Sequence, residues 1–187
     1  RPIYVEVFES DGTKVIDQAA GVRLSGGYSR VPDQKSLRLI ARKSYDPDNG
    51  KFKYAFFEGA QTADGVPVSE FDRIVLRNGA NDREFAGVRD ELSQKLAQDY
   101  GYPVTQHCTP AAVFLNGEYY GYSWVHENYN EDYLATYFGG NKDNYEIVSN
   151  IEDADEGSER ALEDYGKLYA YYDRDLTDDS TFAEYCG

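Results

Sequence analysis

Apolar and polar positions alternate along the first residues of the chain, with Ile3, Val5 and Val7 on one side and Tyr4, Glu6 and Phe8 on the other. A period of two marks a strand with one buried face. Asp11-Gly12 supplies a turn, and Val15-Ile16 starts a return strand. A further strand is predicted around residues 21–25, running into Gly26-Gly27-Tyr28-Ser29-Arg30. Leu37, Leu39 and Ala41 give residues 36–41 one apolar face, and residues 71–77 carry Ile74, Val75 and Leu76. Between them, Tyr45-Asp46-Pro47-Asp48-Asn49-Gly50 is turn chemistry, an aromatic run covers 52–57, and 61–70 reads as a surface loop.

The period then lengthens. Phe85, Val88, Leu92, Leu96 and Tyr100 fall at helical spacing, which predicts a helix over 84–100, stopped by Gly101 with Pro103 beyond. Asn116-Gly117 between β-formers predicts a hairpin over 112–125, because a type I′ turn needs positive φ at both central residues. A helix over 130–138 and a short strand at 146–148 follow. The last helix, over 158–175, carries a stripe of Leu162, Tyr165, Leu168, Tyr169 and Tyr172. Strands, helix, hairpin, then helices predict an α+β fold with an antiparallel sheet and packed helices, not a doubly wound parallel sheet.

Charge narrows the partners. The chain has 187 residues, enough for one domain or most of a larger one, with 34 acidic against 19 basic side chains and a net charge of −15. That field repels phosphate backbones and anionic lipid, so nucleic-acid binding is not expected. A basic protein partner or divalent cations would suit it, and so would a purely solubilising role. No apolar run is long enough to span a bilayer, so no membrane insertion is expected. The start at Arg1 suggests a processed or excised chain. The 18 Tyr suit half-buried sheets or a carbohydrate-facing surface. Cys108 and Cys186 are compatible with one disulfide or with two half-buried thiols. With only His107 and His126, and no CxxC, a zinc site is not expected.

The most suggestive chemistry lies between residues 23 and 38. A strand runs into a Gly-rich turn with Ser29 and Arg30, then Gln34-Lys35-Ser36-Leu37-Arg38 enters the next strand. Backbone N–H groups of such a turn cradle anions, and a following Lys meets phosphate. In protein kinases a Gly-containing hairpin covers the nucleotide, and a strand Lys pairs with a helix carboxylate. Here Asp90 or Glu91 would be that partner. A plain hairpin turn and a solvated strand explain the same residues. Trp124-Val125-His126-Glu127 stands where a kinase hinge would receive the base, although Glu127 could cap a helix and Trp124 could be core. The acidic clusters at 46–50 and 153–157 do not fit an EF-hand loop and read as turns. There is no Walker motif, and neither His sits in a Ser-His-Asp or Cys-His arrangement.

Several segments together resemble the CotH kinase family, the relatives of spore coat protein H. They are Ala20-Gly21-Val22-Arg23-Leu24-Ser25-Gly26-Gly27-Tyr28-Ser29-Arg30, Gln34-Lys35-Ser36-Leu37-Arg38-Leu39, Val75-Leu76-Arg77-Asn78-Gly79-Ala80-Asn81-Asp82 and Val88-Arg89-Asp90-Glu91-Leu92. The last is Val113-Phe114-Leu115-Asn116-Gly117-Glu118-Tyr119-Tyr120-Gly121-Tyr122, with Glu127 after it. The resemblance implies a remote protein-kinase-like N-lobe over 1–125, then a hinge and the start of a helical lobe over 126–187. It implies an atypical kinase that uses ATP and Mg²⁺ to phosphorylate Ser in a protein substrate, basic or Ser-rich. The nucleotide-binding residues would be Gly26, Ser29 and Arg30 near the phosphates, Lys35 as the phosphate-gripping lysine, Asp90 (or Glu91) as its partner, and Glu127 near the adenine edge. The family's catalytic and metal-binding Asp residues are expected beyond Gly187, so these residues alone would hold no metal and transfer no phosphate. The competing expectation is a non-catalytic binding or adhesion module of a polysaccharide-degrading protein. Either belongs outside the cell, on its surface or in the spore coat.

Overall fold

The structure, a computed structural model, describes residues 1–27, 30–149, 153–156, 160–172 and 174–186. The fold is α+β, and the chain divides into two compact units, Arg1–Tyr129 and Asn130–Gly187. No helix among the described residues is long and apolar enough to cross a membrane.

The first unit is built on a six-stranded sheet in the order β1-β2-β3-β6-β8-β7, every neighbouring pair antiparallel. β1 (Pro2–Phe8) buries Val5 and exposes Tyr4, Glu6 and Phe8, as its alternation requires. β2 (Lys14–Leu24) is one continuous strand where two short ones were expected. Its interior positions Ile16, Gln18 and Ala20 are buried at period two. The turn before it is made by Gly12 at φ 87° and by the Asp11 carboxylate, which accepts from the Thr13 N–H. β3 (Leu37–Ile40) and β6 (Arg73–Arg77) lie side by side in the middle of the sheet. Between them β4 (Phe52–Lys53) and β5 (Glu70–Phe71) form a separate ribbon. The aromatic run over 52–57 contributes to a small core, with Phe57 edge-on to Phe71 at 5.3 Å and Phe52 buried. The 46–50 segment is a turn, because the Asp46 carboxylate accepts the N–H groups of Ala19, Asp48 and Asn49.

β7 (Cys108–Leu115) and β8 (Glu118–Glu127) close the sheet through the expected turn, with Asn116 at φ 52° and Gly117 at φ 83°. Only α1 (Arg89–Asp99) forms within the span expected to be helical from residue 84. Asp82 explains the delay. Its carboxylate accepts the N–H groups of Val88 at 3.0 Å and Arg89 at 3.1 Å, so it caps the helix from seven residues upstream. Gly101 ends α1, as expected, in a left-handed turn at φ 75°.

The second unit holds α2 (Glu131–Phe138), capped by the Asn130 side chain, then β9 (Ile147–Ser149), β10 (Asp153–Glu156), α3 (Arg160–Tyr169) and α4 (Asp179–Cys186). The 153–156 segment pairs with β9 as a strand, so the turn expected there is corrected. The last helix is likewise shorter than expected, with its anticipated start at Ser158 outside the described residues and a separate α4 following. Along α3 the stripe is half-buried at Leu162 and Tyr165 and exposed at Leu168 and Tyr169.

Candidate functional site

The Gly-rich hairpin between β2 and β3 is anchored at its root. Ser25 N–H donates to the Ser36 carbonyl, and the return limb is tied to the neighbouring strands by side chains. Gln34 donates through its carboxamide to the Tyr122 carbonyl at 2.6 Å, and Lys35 N–H donates to the Tyr120 hydroxyl at 2.5 Å. Ser36 hydroxyl donates to Asn78 Oδ1, and Asn78 Nδ2 donates to the Gln34 carbonyl at 2.6 Å. Gly121 is required beneath this limb: it adopts φ 145°, and a Cβ there would come within 2.7 Å of the Gln34 carboxamide. Beyond that root, Gly26 has φ 88° and Arg30 is exposed, with its N–H donating to the Gly27 carbonyl. Ser29 lies outside the described residues.

Lys35 does not meet Asp90, which corrects that expectation. Its ammonium donates to the carbonyls of Val31 at 3.2 Å and Pro32 at 2.5 Å, inside its own loop. A backbone so close offers the ammonium acceptors without stretching the stem across the sheet. Asp90 is held by Arg77 at the end of β6, through a direct ion pair from Arg77 Nη1 to Asp90 Oδ2.

Glu91 turns to β8. Its Oε1 lies 2.9 Å from His126 Nε2, with Glu91 6% exposed and His126 fully buried. His126 Nδ1 has no partner among the described residues. Burial lowers the His126 pKa, and the Glu91 hydrogen bond opposes that only in part. The neutral imidazole therefore donates its Nε2 proton to the carboxylate and leaves the Nδ1 lone pair bare. These two contacts set the rotation of α1. The helix presents Glu91 to the sheet, while Leu92 and Leu96 are 55% and 48% exposed. The apolar stripe that marked the helix in the sequence thus faces outward, because Arg77 and His126 hold the acidic side inward.

Glu127, at the end of β8, is also buried, and its position was expected to lie at the adenine edge. Its carboxylate accepts the His107 N–H at 2.8 Å and lies 3.1 Å from His107 Nδ1. It therefore fastens the segment entering β7 rather than facing an open cleft. Cys108 stands opposite His126 in the ladder, and its thiol is pushed up to about 11 by burial, then by the charges of Glu91 and Asp90. Cys108 and Cys186 are both free thiols. A cleft of about 440 Å³ beside Cys108 has Glu58, Glu91 and Lys95 as its charged lining, too acidic for a polyphosphate.

Asp90, Glu91 and His126 bring ligand-type atoms within 4.8 Å of one another. They do not fit Mg²⁺, which demands an octahedron of oxygens and keeps several waters. Arg77 already occupies Asp90, and the imidazole occupies Glu91.

Arg77 and His126 were the members that the sequence did not reveal. Arg77 lies inside the Val75–Asp82 segment that resembles the family, with nothing to mark its role, and no motif surrounds His126. The usable signal was positional. An Arg ending a central strand and an acidic pair opening the next helix sit in the chain order of the kinase cation and its helix carboxylate.

A Gly-rich hairpin, a strand ending in a cation, and a helix opening with an acid that holds it make this a kinase-like domain. The family model described as CotH kinase protein matches residues 22–185, so the chain belongs to the CotH kinase family. No curated protein matches it.

Proposed function

We propose that the chain is the nucleotide-binding part of an atypical protein kinase that transfers the γ-phosphate of ATP to Ser in a protein. The observation that carries this reading is the anchored hairpin over 25–36, followed in the chain by the Arg77–Asp90 pair. In this reading the Gly26–Arg30 turn, with Ser29, lies over the phosphates. Lys35 stiffens the loop and adds positive charge beside them. Asp90 orients the cation of β6, and Glu127 fixes the end of β8 where the adenine edge would lie. The reaction is attack of the Ser hydroxyl oxygen on the γ-phosphorus, with the bond to the bridging oxygen of ADP breaking and the hydroxyl proton leaving to a base. The family implies a divalent metal as well, and no step here is routed through one, because the acidic cluster present does not fit it. The charge of −15 favours a basic substrate, and the family points to Ser as the acceptor and to a place outside the cell, at its surface or in a spore coat.

Exposed aromatic residues on the β7–β8 hairpin favour a second reading. Phe114 and Tyr119 are 60% and 63% exposed and lie 5.5 Å apart, which would suit a non-catalytic binding module.

The test is incubation of the full-length protein with γ-labelled ATP and a basic, Ser-rich protein. The kinase reading expects label on Ser of the substrate. Label released only as inorganic phosphate, or no turnover of ATP, contradicts it and leaves the binding module ahead.

A further inference from the structure

We infer that Arg77, held by Asp90, is the cation that meets the nucleotide's polyphosphate, in the role that Lys35 was expected to play. The inference rests on the kinase-like reading above and names the residue on which its phosphate grip depends.

Chain order comes first. In protein kinases the Gly-rich hairpin is followed by a strand whose cation contacts the phosphates, then by a helix whose carboxylate holds that cation. Here the hairpin over 25–36 is followed by β6, ending in Arg77, and then by α1, opening with Asp90. β6 pairs directly with β3, the strand that leaves the hairpin. Arg77 also precedes Asn78, which bonds Gln34 and Ser36 of the return limb. The Arg77 backbone therefore sits at the root of the hairpin with its guanidinium on Asp90, whereas the Lys35 ammonium is engaged by the Val31 and Pro32 carbonyls.

Chemistry agrees with the position. The Arg77 side chain is 29% exposed, so it is held by Asp90 without being sealed off. A guanidinium has five N–H donors in a planar fork, and the ion pair to Asp90 uses Nη1. The remaining donors match a phosphate bidentately, which an ammonium does not do.

Neighbouring charge points the same way. Val75 and Arg77, two residues apart on one strand, share a face. Arg38 stands opposite Val75, and Arg23 stands opposite Arg38. Three arginine stems thus rise from one face of three adjoining strands in a chain of charge −15.

Calorimetric titration of the full-length protein with MgATP, and separately with tripolyphosphate, tests the assignment. Arg77→Met should weaken both ligands about tenfold or more, and by more than Lys35→Met does. Lys14→Met, on the β1–β2 hairpin, should change neither. A smaller loss from Arg77→Met, or a larger loss from Lys35→Met, overturns the proposal. Should Arg77→Met fail to fold, Arg77→Lys decides, since it keeps the charge and loses the fork. A loss under about threefold then overturns the assignment, and a larger one supports it. If the wild type binds tripolyphosphate but not ATP, the kinase reading fails while the Arg77 arm still decides its own question. If it binds neither, both fail.

Discussion

Removing His126 alone from the buried Glu91–His126 pair should destabilise the protein more than removing both partners. Glu91→Leu leaves His126, fully buried, with neither ring nitrogen bonded. An orphaned buried polar group costs about 1–3 kcal/mol. His126→Leu leaves a carboxylate that is 7% exposed without its imidazole, and an uncompensated buried charge costs about 3–5 kcal/mol. The double variant removes both polar groups, so its loss should be smaller than that of His126→Leu alone. The coupling between the two sites should then reach about 2 kcal/mol or more, well outside the ~0.5 kcal/mol expected of independent positions. Urea unfolding measures this through the single Trp, Trp124, whose indole N–H donates to the Gly87 carbonyl just before α1. Additive losses would refute the reasoning and would mean that the pair does not hold α1 against the sheet.

The same pair sets a pH dependence. Burial holds the His126 pKa below its ordinary 6.5, so the unfolded chain binds more protons between the lowered value and 6.5. Stability should be full above pH 6.5 and fall as pH drops below it, by at most about 1.4 kcal/mol per pH unit, and His126→Gln should flatten that slope in urea midpoints. The Cys108 thiol, pushed up to about 11, should resist iodoacetamide at pH 8 in the folded protein, while exposed Cys186 is alkylated, as peptide mass spectrometry would reveal.

What the sequence disclosed was local. The alternation of β1 and the Asn116-Gly117 turn are written in neighbouring residues, and both formed as expected. The resemblance to the CotH kinases was also legible, because its motifs recur in order. The rotation of α1 was not, since Arg77 and His126 approach it from strands on either side of it in the chain. Hydrophobic spacing located a helix there but pointed its apolar stripe inward, and two long-range polar contacts reversed that. Lys35 failed as the partner of Asp90 for a similar reason. Carbonyls three and four residues upstream reach its ammonium first, and residue types alone do not show a loop's path. The delayed start of α1 likewise depends on one carboxylate, Asp82, folding back on residues beyond the next turn.

In the proposed function a nucleotide binds under the 25–36 hairpin, against the end of β6. Hydrogen–deuterium exchange of the full-length protein, with and without MgATP, measures it most directly. Binding there should add protection over residues 25–36 and 77–78 and leave the β1–β2 turn at 9–13 unchanged. Protection confined to other segments, or none at saturating MgATP, would contradict it.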